Sequence, residues 1–234
     1  MEKQGGRLAG VSGILFVVVV YAGVILGDTG ILGGLPEPPP GAGGEEWVAY
    51  YTSSHAALLL PNCLGSLAFC FFLIFVGGLC NAVWGPQEER RLPMLGLVAF
   101  GGGVKATALQ LASTAVSWAA VSSAQTKVLD PQIAGVLREV DTILLVSAYF
   151  PLAILLGATA LGVLLTHALP RWLGWAAGVL AIVLLGTTLL IAASPDSEVW
   201  VYDYMLIALW TIITSIILMR GARRGRPNRF ARVR

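Results

Sequence analysis

Hydrophobic positions in this chain fall into long unbroken runs separated by short polar punctuation. They show neither the alternation of strands nor the one-sided stripe of a water-facing helix. Six runs stand out: roughly Leu8–Gly27, Ala57–Trp84, Met94–Ala120, Val140–Leu165, Trp172–Ala193 and Val199–Met219. Each reaches the length of about 20 residues needed to cross about 30 Å of hydrocarbon. A backbone in lipid must satisfy its own hydrogen bonds, so each run is expected to be a helix. The fold class that follows is all-α, a polytopic bundle of six spans occupying residues 1–219. A short basic tail, residues 220–234, follows it. The first run follows Lys3 and Arg7 as a signal peptide would, but it is too long and lacks a small-x-small cleavage site, so it reads as a retained helix.

Polar punctuation predicts the rest of the organisation. Residues 28–56 form an outer segment: a Gly/Pro-rich loop through Gly44, then EEWVAYYTSSHA, a short interfacial helix with Trp47, Tyr50 and Tyr51 at the headgroup level. Asp130-Pro131 reads as a helix start, with aspartate as cap and proline in the first turn, and that helix is expected to run on into the fourth span. Pro151 should kink it by removing a backbone donor. Gly23-xxx-Gly27 and Gly174-xxx-Gly178 are small-residue contact faces, within the bundle or toward a homo- or hetero-oligomeric partner. No internal repeat is evident.

Composition sharpens the class. Apolar residues make up 56% of 234 positions and charged residues 12%, about half the usual share in soluble domains. A soluble enzyme, a disordered chain and a nucleic-acid module are poor fits. The net charge of +2 conceals a separation. Lys3, Arg7, Arg90, Arg91, Arg171 and the arginines from Arg220 to Arg234 fall at one end of a six-span bundle. Asp28, Glu37, Glu45, Glu46, Asp130, Glu139, Asp141, Asp196, Glu198 and Asp203 fall at the other, with only Lys127 and Arg138 as cations. By the positive-inside rule both termini are cytoplasmic. The arginine-rich tail then reads as a topology anchor on anionic headgroups rather than a nucleic-acid arm. The expected location is a bacterial plasma membrane, with lipids as the constant partners.

Candidate chemistry is sparse. Cys63, Cys70 and Cys80 share the second span. The first two are separated by about 10 Å of helical rise, beyond disulfide reach, so all three read as small core residues. His55 and His167 sit at opposite ends and build no common metal site. No P-loop or dinucleotide fingerprint appears, because Gly101-Gly102-Gly103 lies inside a span. No cofactor is expected.

Lys105 is the most informative residue. It sits near the middle of the third span, where a lysine costs about 2.5–3.5 kcal/mol on insertion scales. Val98, Gly101, Gly102, Ala108, Leu109 and Ala112 share its face by helical period, leaving room for a close helix or a polar-floored concavity. Lys105 is expected to point inward, toward Asp203 or Glu139. Arg138 should pair locally with Asp141, three residues on. Asn62 near the outer end of the second span, with Trp210 and Thr214 on the face of Asp203, completes a binding set. The first functional reading is therefore an outward-opening polar pocket for a small apolar or lipid-like molecule, in a transport or accessory subunit. The alternative is a cofactor-free isomerase or cyclase on an isoprenoid-like substrate, with Asp203, Glu139 and Asp141 as candidate catalytic acids. A third is a structural partner whose polar groups only hold an assembly together.

Residues 137–181, LREVDTILLVSAYFPLAILLGATALGVLLTHALPRWLGWAAGVLA, with their LPRWLGW turn from Leu169 to Trp175, resemble the second half of an uncharacterised bacterial family of six-span membrane proteins. The EEWVAYYTSS segment and the FGGGV run are similar too. The family is a domain of unknown function. The resemblance therefore implies the six-span fold and no activity, and it carries over no catalytic residue.

Overall fold

The computed structural model describes residues 2–28, 35–39, 41–84, 93–126, 128–193 and 200–223. Among them are eight helices and no strand: α1 (Glu2–Asp28), α2 (Gly44–Ser53), α3 (His55–Trp84), α4 (Pro93–Gln125), α5 (Pro131–Ser147), α6 (Tyr149–Thr166), α7 (Arg171–Ala193) and α8 (Trp200–Arg223). Arg90, Arg91, Lys127, Asp196, Glu198 and the arginines beyond Arg223 lie outside the described residues, as do residues 29–34 and 40 of the Gly/Pro-rich loop. Six helical stretches are long and apolar enough to cross a membrane, with α5 and α6 together forming one of them, Pro131–Thr166. The chain is a multi-pass membrane protein built as an all-α bundle.

Local chemistry accounts for the helix boundaries. Asp130 caps α5, its carboxylate accepting from Gln132 N at 2.8 Å, with Pro131 at the first helical position. The α5–α6 junction falls at Ala148. Pro151 has no N–H to donate to the carbonyl of Ser147, so the break sits where its ring and missing donor require it. At the far end of α6 the chain turns through His167, which adopts φ 52° at the cap and is bonded to Arg171 at 3.1 Å. Pro170 O then accepts from Leu173 N to start α7.

Glycine sets the close approaches. A Cβ on Gly10 would meet Ser215 O at 2.6 Å, seating α1 on α8 at the end that holds both outermost helix termini. Gly102 lets α4 lie against α6, where a Cβ would stand 2.6 Å from Pro151 O and 2.9 Å from Leu155 N. Gly23 and Gly27 rest on Pro61 of α3, and Gly174 rests on Val163 and Ala160 of α6, so both predicted small-residue faces are internal contacts. The main core gathers Phe72, Phe75, Val76 and Leu79 of α3 with Tyr149, Leu155 and Leu156 of α6, plus Leu173 and Leu184 of α7.

A second, smaller core lies at the other end. Here α2 folds down onto α4 and α5, burying Trp47 and Tyr51 against Ala120, Val121, Ala124, Leu129 and Ala134. The expected interfacial helix is present, but two of its three aromatics are core residues rather than headgroup anchors. The chain ahead of it is pinned by Ser54, whose hydroxyl accepts from Leu35 N at 3.0 Å and donates to Leu35 O at 3.3 Å.

Candidate functional site

The polar side chains concentrate at the α2 end of the bundle, where three helices and a loop converge. Arg138 of α5 donates to Glu37 of the loop and, at 3.4 Å, to Asp141 one turn along its own helix. Its guanidinium also lies over the Trp47 ring, 5.0 Å from the centroid. Asp141, half-buried, accepts from Ser113 of α4 as well. The local Arg138–Asp141 pair expected from spacing is thus part of a larger clamp joining loop, α4 and α5. Tyr51, only 4% exposed, stands beside this clamp. Burial pushes its phenol up to about 12, with the Arg138 charge pulling the other way. Gln125 Nε2 closes the rim by donating to Thr52 O at 3.1 Å.

Deeper in, Gln110 of α4 donates to the Tyr204 hydroxyl of α8 at 2.9 Å. Tyr204 also meets Tyr149 of α6, edge to face at 6.0 Å, with their hydroxyls bonded. Next to it Asp203 is only 2% exposed. It accepts from Thr187 of α7, while Oδ2 is buried with no hydrogen-bond partner among the described residues.

The binding set expected from sequence is not assembled. Lys105 is exposed on the outer surface of α4 and makes no ion pair among the described residues, so it does not reach Asp203 or Glu139. Gly102 explains the error: it turns inward against α6, and Lys105 leaves on the side of Gly101, whose surroundings are open space. Glu139 is exposed. Asn62 is tied to Ser117 of α4, donating at 3.1 Å. Trp210 is buried and donates to Leu173 O at 3.5 Å, which puts it at the opposite end of the bundle from Asn62. Thr214, one turn further on, is fully buried, and its hydroxyl has no partner among the described residues. The cysteines are corrected too: Cys63 and Cys70 are exposed and Cys80 half-buried, so the first two are surface rather than core residues.

What the structure brings together instead is a cleft between α3 and α4 at the end closed by α2. Its volume is about 340 Å³, and His55, Leu59, Cys63, Trp118, Ser122, Gln125 and Thr126 line it. Polar groups gather at the rim, whereas Leu59, Cys63 and Trp118 extend toward mid-bundle. Sequence reasoning singled out His55 and Cys63 separately. The signal that links them is spacing: His55, Leu59 and Cys63 recur every fourth residue on one face of α3, opposite Trp118, Ser122 and Gln125 on α4. His167 lies at the far end, as its place in the sequence requires. No group of three histidine, cysteine or acidic side chains able to hold a metal occurs among the described residues.

The fold defines a six-span multi-pass membrane protein with a small amphipathic cleft at its acidic end. Comparison with family models, with curated proteins and with solved structures finds no match for the chain.

Proposed function

We propose that the protein holds a small lipid-like molecule in the cleft between α3 and α4, as an accessory or transport subunit of a bacterial plasma membrane. In this reading the acidic end faces outward, and the ligand enters from the outer leaflet. The observation that carries it is the cleft. Its volume of about 340 Å³ lies at the lower end of the range for small-molecule sites, about 300–1,000 Å³. Its chemistry is graded along the membrane normal, as an amphiphile requires. A polar head would meet His55, Ser122 and the Gln125 carbonyl, which its bond to Thr52 leaves free to accept. A short apolar chain would lie on Leu59 and Trp118.

No carboxylate is among the lining residues, and Glu139, Asp141 and Asp203 lie elsewhere. The isomerase or cyclase reading needs two acid/base groups on one apolar cavity, so no observation favours it.

The test is chemical. Protein purified from its own membranes is extracted with solvent, and the extract is compared by mass spectrometry with that from Ser122→Trp, which fills the cleft. An amphiphile retained by the native chain and lost from a variant of unchanged melting temperature is the expected result. Equal retention by both overturns the assignment. Orientation is tested separately with single cysteines at Pro40 and Asn228: only the first should react with an impermeant maleimide on intact cells, and reaction of both would overturn the six-span topology.

A further inference from the structure

We propose that the membrane-facing surface of α4 receives a transmembrane helix of another protein, one carrying an aspartate or glutamate at the depth of Lys105. The inference is independent of the cleft. It starts from the ammonium, which is exposed and has no ion-pair partner among the described residues. Its depth follows from two tryptophans. A Cβ on Gly96 would touch Trp84, the last residue of α3, at 3.2 Å, so the helix ends of the basic side lie near Gly96. From there to Lys105 is about 13 Å of helical rise, and from Lys105 to the exposed Trp118 about 20 Å. The four-carbon stem of lysine covers about half the shorter distance, so snorkelling toward the near headgroups leaves the charge in hydrocarbon.

The surface around it is shaped for a helix rather than for acyl chains. Gly101, Lys105, Ala108, Ala112, Ala115 and Ala119 follow one another at intervals of four and three, and only Ala112 among them is even half-covered. A 3.5-residue repeat of small side chains is the seam on which two helices cross at about +20° with close backbones. Elsewhere the lipid-facing stripes are bulky: α7 presents Trp175, Val179, Ile182 and Leu189. Charge complementarity selects the occupant. A second copy would oppose lysine to lysine, and the exposed acids among the described residues, Glu37, Glu45, Glu46, Asp130 and Glu139, all lie at the acidic end rather than at this depth. The matching surface is a foreign helix with its own small-residue face and a mid-span carboxylate.

The probe is a synthetic 22-residue Leu/Ala transmembrane peptide with one central glutamate, labelled as an energy-transfer acceptor. It is mixed with full-length labelled protein in phosphatidylcholine vesicles. Saturable transfer is expected, weaker by about tenfold for a central glutamine, for a glutamate moved seven residues toward either end, and for Lys105→Met. Ala112→Phe should abolish it. The peptide variants leave the protein untouched, so misfolding cannot imitate the result. Equal binding of the glutamine peptide, or indifference to the depth of the glutamate, overturns the proposal. So does a Lys105-dependent association of the protein with itself that excludes the peptide.

Discussion

The two ends of the bundle are held together by different physics. At the acidic end α2, α4 and α5 add polar clamps to their small apolar core and to the close approach of Gly44 to Pro131: Arg138 to Glu37 and Asp141, Ser113 to Asp141, and Gln125 to the backbone of Thr52. At the basic end the helices meet through backbone, with Gly10 of α1 against α8 and Gly174 of α7 against α6. There the buried hydroxyls of Thr211, Thr214 and Ser215 have no hydrogen-bond partner among the described residues. Close backbone packing draws on dispersion over many atoms and has no slack. Polar clamps join fewer atoms at longer reach and leave space between them. The cleft lies at the clamped end.

The contrast is broken most severely by adding bulk where helices touch through backbone. Gly102→Leu places a side chain against Pro151 O and Leu155 N, which have no rotamer to yield. It should destabilise the protein by about 3 kcal/mol, toward the upper end of overpacking costs. Gly101→Leu, one residue away and facing open space, should cost nothing beyond measurement error. The pair is read by thermal melting in detergent. Equal losses at both positions would mean that α4 does not lie on α6 as described.

Removing a clamp should cost less. Arg138→Met takes the guanidinium off the Trp47 ring and strips the cation from the half-buried Asp141 and from Glu37. The Glu37 arm is mostly exposed and contributes little, so the expected loss of about 1–2 kcal/mol comes chiefly from Asp141. A double variant with Asp141→Asn should recover most of it, and one with Glu37→Gln should recover almost none. The reverse ranking would show that the loop, rather than α4, is what Arg138 holds.

Sequence carried the architecture further than the site. Apolar run length gave the six spans, Asp130-Pro131 gave the start of α5, and Pro151 gave the break at Ala148, because each is a local rule of the backbone. The direction of Lys105 was not legible. In a membrane helix both the lipid face and the core face are apolar, so periodicity does not say which is which. A 100° step separates Gly101 in open space from Gly102 against α6, and grouping the two glycines on one face turned the lysine inward. The exposure of Cys63 and Cys70 was hidden by the same ambiguity. Trp210 and Thr214 share the Asp203 face of α8 as expected, yet the rise along the helix carries them toward the basic end, too far from Asn62 to form one pocket. The cleft needed the register of α3 against α4, which no single helix encodes.

The smallest expected effect concerns the burial of Tyr51 beneath the clamp. Its phenol is held near 12 in the folded protein, against 10.0 for the ordinary group, mainly because burial disfavours the phenolate. A raised folded-state value means that Tyr51 contributes full stability below about pH 10, and that the contribution fades as pH rises from 10 through 12. Near pH 11.5 the unfolded chain is largely ionised at this position and the folded chain largely is not. The penalty should be about 1 kcal/mol after allowance for relaxation at a site so close to Arg138. Tyr51→Phe cannot ionise, so its melting temperature should fall less than that of the native protein between pH 9 and pH 11.5. Parallel falls in the two proteins would mean that water already reaches the phenol and that α2 sits more loosely on α4 and α5 than the buried Trp47 and Tyr51 require.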